Sequence, residues 1–200
     1  VLFRSYRYLI FDGICSQIMG CLTGGAFLVA FAVLLGASTL EIGVIASIGP
    51  LTQILHLPAS LIVEKLRTRK RLVIFSSLIS RLCLLCLCAI PLFDPQYRVL
   101  LLLLCLFFYF CFGAISGSAF NSWWSDFVPQ DRLSSLFANR LIAATGAGIM
   151  VTLSGAFWID YSLDLNYQRE FSYTILFFIG ALFGLIGLVC LSRVPEPKME

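Results

Sequence analysis

The sequence predicts an all-α membrane protein of six transmembrane helices, arranged as two blocks of three that start from opposite sides of the bilayer. Three observations lead there. The chain is 60% hydrophobic and 12% charged, with a mean hydropathy of +0.94, against roughly a quarter charged residues in a soluble domain. Its apolar residues come in runs near the ~20 residues that cross a bilayer as a helix. Its cations gather on alternate connectors, the pattern by which Lys and Arg held in the cytoplasm orient a bundle. Hydrocarbon then makes each run a helix, because no water is present to satisfy its N–H and C=O groups.

The first span covers residues 9–36 and follows a short cytoplasmic segment, residues 1–8, that carries Arg7. Within that segment Val1-Leu2-Phe3-Arg4-Ser5 reads as the translation of a common sequencing adapter and is set aside as a scar. The span is too long for a signal-peptide core and lacks a cleavage site. Gly36-Ala37-Ser38 turns the chain into the second span, 41–63, which holds Pro50 and Pro58. The run from Glu64 to Arg71 then places five cations in eight residues. Span three, 72–92, ends at Phe93-Asp94-Pro95-Gln96 and leads into span four, 98–120. The long connector Asn121 to Asn139 carries Trp123 and Trp124 at the level of an aromatic belt. Span five, 140–160, has Trp158 at the opposite belt, and Asp160 to Glu170 joins it to span six, 171–192. One transmembrane domain, 9–192, is therefore expected, with 193–200 reading as the start of a Pro-rich, charged cytoplasmic linker.

Orientation follows from the cations. Arg7, Lys65, Arg67, Arg69, Lys70, Arg71, Arg132, Arg140, Arg193 and Lys198 fall on one side, and Arg98 and Arg169 on the other. Both ends are expected in the cytoplasm of a cell membrane, with the lipid bilayer as a partner. Because these cations follow topology, the net charge of +3 gives no reason to expect nucleic-acid binding. All eight cysteines lie within apolar spans, where they act as small hydrophobes. Cys83-x-x-Cys86 has no second pair and no nearby His, so no metal or other cofactor is expected. Pairs of glycines four apart, Gly20/Gly24, Gly113/Gly117 and Gly180/Gly184, would let helices approach closely.

Two connectors carry a family resemblance. Ser60-Leu61-Ile62-Val63-Glu64-Lys65-Leu66-Arg67-Thr68-Arg69-Lys70-Arg71, between spans two and three, resembles the signature loop G-x-x-x-D-[RK]-x-G-[RK]-[RK] of the major facilitator superfamily. Glu64 stands at the acidic position, Lys65 at the first basic one and Arg69 at the last, while Ser60 and Arg67 replace the glycines and Thr68 a basic residue. Between spans four and five, Trp123-Trp124-Ser125-Asp126-Phe127-Val128-Pro129-Gln130-Asp131-Arg132, followed by Arg140, resembles the W-x-x-D-x-[VI]-P-x-x-x-R stretch of bacterial members, one residue short before the Arg. The resemblance covers the whole chain as the amino-terminal half of a twelve-helix transporter. It implies a 3+3 inverted repeat, a carboxy-terminal six-helix half as partner, and a small-molecule substrate. It further implies a cytoplasmic gate in which Glu64, Lys65, Arg69, Asp126, Arg132 and Arg140 exchange partners as the halves rock. The fifth span lacks the Gly-Pro motif of drug/proton antiporters.

Candidate cavity residues come from the polar groups inside the spans. Arg81 lies ten residues beyond Arg71, about 15 Å deep at ~1.5 Å per residue, near the middle of the hydrocarbon. A charge there must face the bundle interior with a partner. Asp12 is the nearest plausible carboxylate, so Arg81 reads either as a brace paired to Asp12 or as an anion or substrate ligand. Thr52, Gln53, His56 and Ser60 form one polar stripe on span two, and Ser16, Gln17, Gly20 and Thr23 another on span one. Gln17, Gln53, His56 and Arg81 are the substrate-cavity candidates, with His56 either a proton carrier or a hydrogen-bonded packing residue.

Together these features predict a secondary transporter that moves a small solute by alternating access and performs no covalent chemistry. No P-loop is present to drive it with ATP. The alternatives are a non-transporting membrane scaffold or chaperone subunit and, at lower weight, an intramembrane enzyme built on Ser116. A serine needs a base, and the one histidine sits on another helix.

Overall fold

The computed structural model describes residues 2–60, 69–127, 130–164 and 169–194. Every regular element among them is helical. Six helices are long and apolar enough to cross a membrane: Tyr6–Leu34, Thr39–Ser60, Lys70–Leu92, Pro95–Trp123, Ser134–Ser162 and Arg169–Ser192. The first span consists of α1 (Leu2–Thr23) and α2 (Gly25–Leu34). The second is α3 (Thr39–Thr52), a 3-10 turn at Gln53–Leu55 and a further helical turn at 56–60. The others are α4 (Arg69–Ala89), α5 (Pro95–Phe127), α6 (Gln130–Asp164) and α7 (Arg169–Ser192).

Local chemistry explains the boundaries. Ser38 and Glu41 form a reciprocal capping box at the start of α3, with the Ser38 N–H donating to Glu41 Oε2 at 2.7 Å and the Glu41 N–H to Ser38 Oγ at 3.3 Å. Pro50 and Pro58 each withdraw an N–H from the second span, which tightens to 3-10 geometry at Gln53–Leu55 between them. The first span is not continuous as the sequence suggested. It breaks at Gly24, where Gly25 takes φ +54° and a Cβ on Gly24 would stand 2.8 Å from the Gly20 carbonyl oxygen. Gly20/Gly24 is thus a break and not a packing face, since a Cβ on Gly20 would meet nothing within 4 Å.

The expected connector Asn121 to Asn139 also differs. α5 runs on to Phe127 and α6 already begins at Gln130, on the far side of Pro129. Polar composition marks where these helices leave the apolar layer, not where they end. Trp123 stands at the end of the fourth span, and it is buried there in a small core with Leu9, Val73, Ala119, Leu136, Leu191 and Val194.

α7 is the hub of the bundle. It packs on α1 and α4, α1 also meets α6, and α4 also meets α5, which in turn takes α3. The main core lies among these elements, with Phe31 and Phe177 edge-on at 5.0 Å and Leu84, Leu87, Leu102 and Leu106 around them. Glycines on α7 make room for α1. A Cβ on Gly180 would come within 2.8 Å of Thr23 Cγ2, one on Gly184 would collide with Met19 Sδ, and one on Gly187 would lie 3.1 Å from Cys15 Cβ. The outward faces carry Leu40, Leu141, Ile142, Phe157 and Phe171, all exposed, as suits contact with lipid.

The two ends of the bundle are fastened differently. At one, Lys70 Nζ donates to the Val194 carbonyl at 2.7 Å. At the other, Arg98 donates to the carbonyls of Phe93 (2.8 Å) and Pro91 (2.9 Å) and to both Glu170 oxygens at 3.2 Å. Both partners of that ion pair are partly exposed, which keeps its own worth to about 1 kcal/mol or less. Arg98→Ala should therefore lower the detergent unfolding midpoint more than Glu170→Gln, because only the former also strips two carbonyls of their donor. Equal shifts would show that the ion pair alone matters.

Candidate functional site

Side chains from all six spans converge on a partly open cavity of about 370 Å³. α1 supplies Asp12, Ser16 and Met19; the second span Thr52, Gln53 and His56; α4 Ser77, Ser80 and Arg81. α5 supplies Tyr109, Phe110, Ser116 and Phe120, α6 supplies Arg140, and α7 supplies Leu191. The loosened stretch of the second span is what carries Gln53 and His56 into it, and Gly117 gives the imidazole space, its Cβ position lying 3.4 Å from His56 Cε1.

Three charges dominate. Asp12 is 4% and Arg81 6% exposed. Arg140 Nη2 reaches Asp12 Oδ2 at 3.5 Å, and its Nε points to the Leu9 carbonyl at 3.4 Å. The Arg140 guanidinium also lies 5.5 Å from the Phe120 ring centroid, within cation–π range. Gly13 opens the route for this arginine: a Cβ there would stand 2.5 Å from Arg140 Nε. The brace expected between Arg81 and Asp12 is not formed. The carboxylate bonds Arg140 instead, and Oδ1 of Asp12 and Nε of Arg81 are both buried without a hydrogen-bond partner. The Asp12 charge still acts on Arg81 through space.

Hydroxyls line the wall beside Arg81. Ser77 and Ser116 share a hydrogen bond of 2.5 Å across α4 and α5, and Ser80 donates to the Tyr109 carbonyl at 3.0 Å. His56 Nδ1 lies 2.7 Å from Ser118 Oγ, and that hydroxyl donates to the His56 carbonyl at 3.3 Å. The hydroxyl thus ties the imidazole to the backbone of its own residue and fixes the ring's place on the cavity wall. Ser116, considered above as a nucleophile, does not meet the histidine: its partners are Ser77 and the Val73 carbonyl.

The structure therefore brings Gln53, His56 and Arg81 together as cavity residues, and adds Arg140 to them, although the sequence placed Arg140 at a gate. Gln17 does not join them. It is exposed on the other side of α1, over a shallow groove with Thr145, Gly148 and Thr152, its Nε2 3.6 Å from Cys21 Sγ. One residue's step along a helix turns a side chain by about 100°, so Ser16 and not Gln17 faces inward. Of the other gate candidates, Glu64 and Lys65 lie outside the described residues, as do the side chains of Arg69, Asp126 and Arg132. Ser77 and Ser80 were missed, though Ser77, four residues before Arg81, shares its face of the helix; Ser80 stands one step round and borders the cavity from there.

No family model, curated protein or solved structure matches the chain.

Proposed function

We propose that the chain is one half of a secondary transporter of the major-facilitator type, which moves a small solute by alternating access. The observation that carries this reading is the cavity itself: a buried arginine halfway along its span, with a histidine and a cluster of hydroxyls, in a bundle whose outer faces are apolar. Charged groups inside a membrane are costly and mark solute or ion pathways. The helix neighbours add support for a 3+3 repeat. Exchanging spans one, two and three with four, five and six turns the α1–α6 pairing into α3–α5, turns α1–α7 into α4–α5, and maps α4–α7 onto itself. A repeat built this way puts its solute site at mid-membrane, against a second half that rocks over it.

The enzyme alternative gains little from the site. Ser116 bonds Ser77 and the Val73 carbonyl and not the histidine, and among the described residues no carboxylate bonds the His56 ring that meets Ser118, so the third member that orients a base is lacking there.

Uptake into liposomes tests the proposal. The chain alone should show no saturable uptake of a radiolabelled solute panel, whereas the chain extended by whatever its reading frame adds after Glu200 should. Saturable uptake by the chain alone, as a monomer, would overturn the half-transporter reading.

A further inference from the structure

We infer that the cavity takes an organic monoanion, a carboxylate on a compact apolar body, with Arg81 as the ligand of the carboxylate. The inference deepens the transport reading, since it names the solute class for the same cavity.

The argument starts from charge. Among the described residues the cavity holds two guanidinium groups, Arg81 and Arg140, and one carboxylate, Asp12. These three groups together carry one positive charge. Asp12 is committed to Arg140, which is further held by the Leu9 carbonyl and the Phe120 ring. Arg81 has no such commitment: it makes no hydrogen bond to a described residue, its Nε is buried and unpartnered, and it borders the cavity. A buried cation in this state calls for an anion, and a guanidinium fork fits a carboxylate through two parallel N–H···O bonds.

Shape and lining narrow the class further. Met19, Phe110 and Phe120 line the same space opposite the hydroxyls, and its lining is apolar over the larger part. That disfavours a free phosphate or sulfate, which needs donors on all sides, and favours an apolar body behind the carboxylate. A volume of about 370 Å³ limits that body to a small molecule. Gly184 fixes how close the arginine may lie to α7, because a Cβ there would stand 3.2 Å from Arg81 Nε.

The test is thermal unfolding of the chain, purified in detergent with any sequence its reading frame adds. Benzoate, benzamide and inorganic phosphate are titrated to 20 mM at constant ionic strength. Benzoate should raise the unfolding midpoint with saturation, and benzamide and phosphate should not. Arg81→Gln should weaken the benzoate effect at least tenfold. Should that variant fail to fold, Arg81→Lys, which keeps the charge and loses the planar fork, should weaken it several-fold. Three results would each overturn the inference: equal stabilisation by benzamide, stabilisation by phosphate, or no benzoate response in the unmodified protein. An undiminished benzoate effect in a folded Arg81→Gln protein would also overturn it. These outcomes concern the charge of what binds, whereas the transport reading stands or falls on uptake, so the two can fail separately.

Discussion

Replacing Asp12 with Ala is expected to destabilise the bundle by about 3–5 kcal/mol, the scale for deleting one partner of a buried ion pair. The loss would not come from the 3.5 Å contact with Arg140 alone. It would come mainly from leaving two guanidinium groups, Arg81 and Arg140, facing one low-dielectric space with no carboxylate among the described residues that line it. Asp12→Asn should be only slightly milder, since it keeps the shape and loses the charge. Arg140→Gln in the Asp12→Asn background should recover part of the stability, as the surplus positive charge falls. Urea or SDS unfolding in mixed micelles gives the free energies, and the double-mutant cycle gives the coupling. Additive effects of the two substitutions would show that Asp12 and Arg140 do not act as a pair.

Gly180→Leu should be a damaging packing change at the seam between α1 and α7. A Cβ at this position already stands 2.8 Å from Thr23 Cγ2 and 3.2 Å from Leu22 Cβ, and the remaining three carbons would have to displace α1 from α7. Overpacking of this kind costs ~1–3 kcal/mol and sometimes more. Gly20→Leu is the control. The sequence offers both glycines in the same four-residue spacing, yet a Cβ on Gly20 would meet nothing within 4 Å, so its effect should stay within about 0.5 kcal/mol. Comparing membrane levels and unfolding midpoints of the two variants decides the point; similar losses would mean that α1 and α7 are not seated as described.

The same contrast shows how much was legible in the sequence. Span number and order followed from hydropathy alone, because the bilayer imposes one length and one backbone solution. The ends of α5 and α6 did not, since polar residues from Asn121 to Asn139 read as loop when only the solvent around the helix had changed. At the site, Arg81 was legible from depth, and Gln53 and His56 from their stripe between two prolines. Gln17 was misread because a stripe drawn on one helix has no built-in facing direction; the neighbours α6 and α7 supply it. The partner of Asp12 was invisible for a related reason: Arg140 lies 128 residues away and looked like a cytoplasmic anchor. Nothing in its local pattern signalled that Gly13 would let it lie across α1 toward the cavity.

That long separation has a consequence for how the protein is made. α1 packs against α6 and α7, the fifth and sixth of the six spans, and its buried carboxylate meets its ion-pair partner only when residue 140 has emerged. At roughly 5–20 residues per second, ribosomes need on the order of 6–25 s to cover the 128 residues between them. Until then the first span lacks the Arg140 partner of its acid, and its glycine-lined seat on α7 is not yet built. Closure of this six-helix bundle therefore waits for its fifth and sixth spans, well after the first has been made.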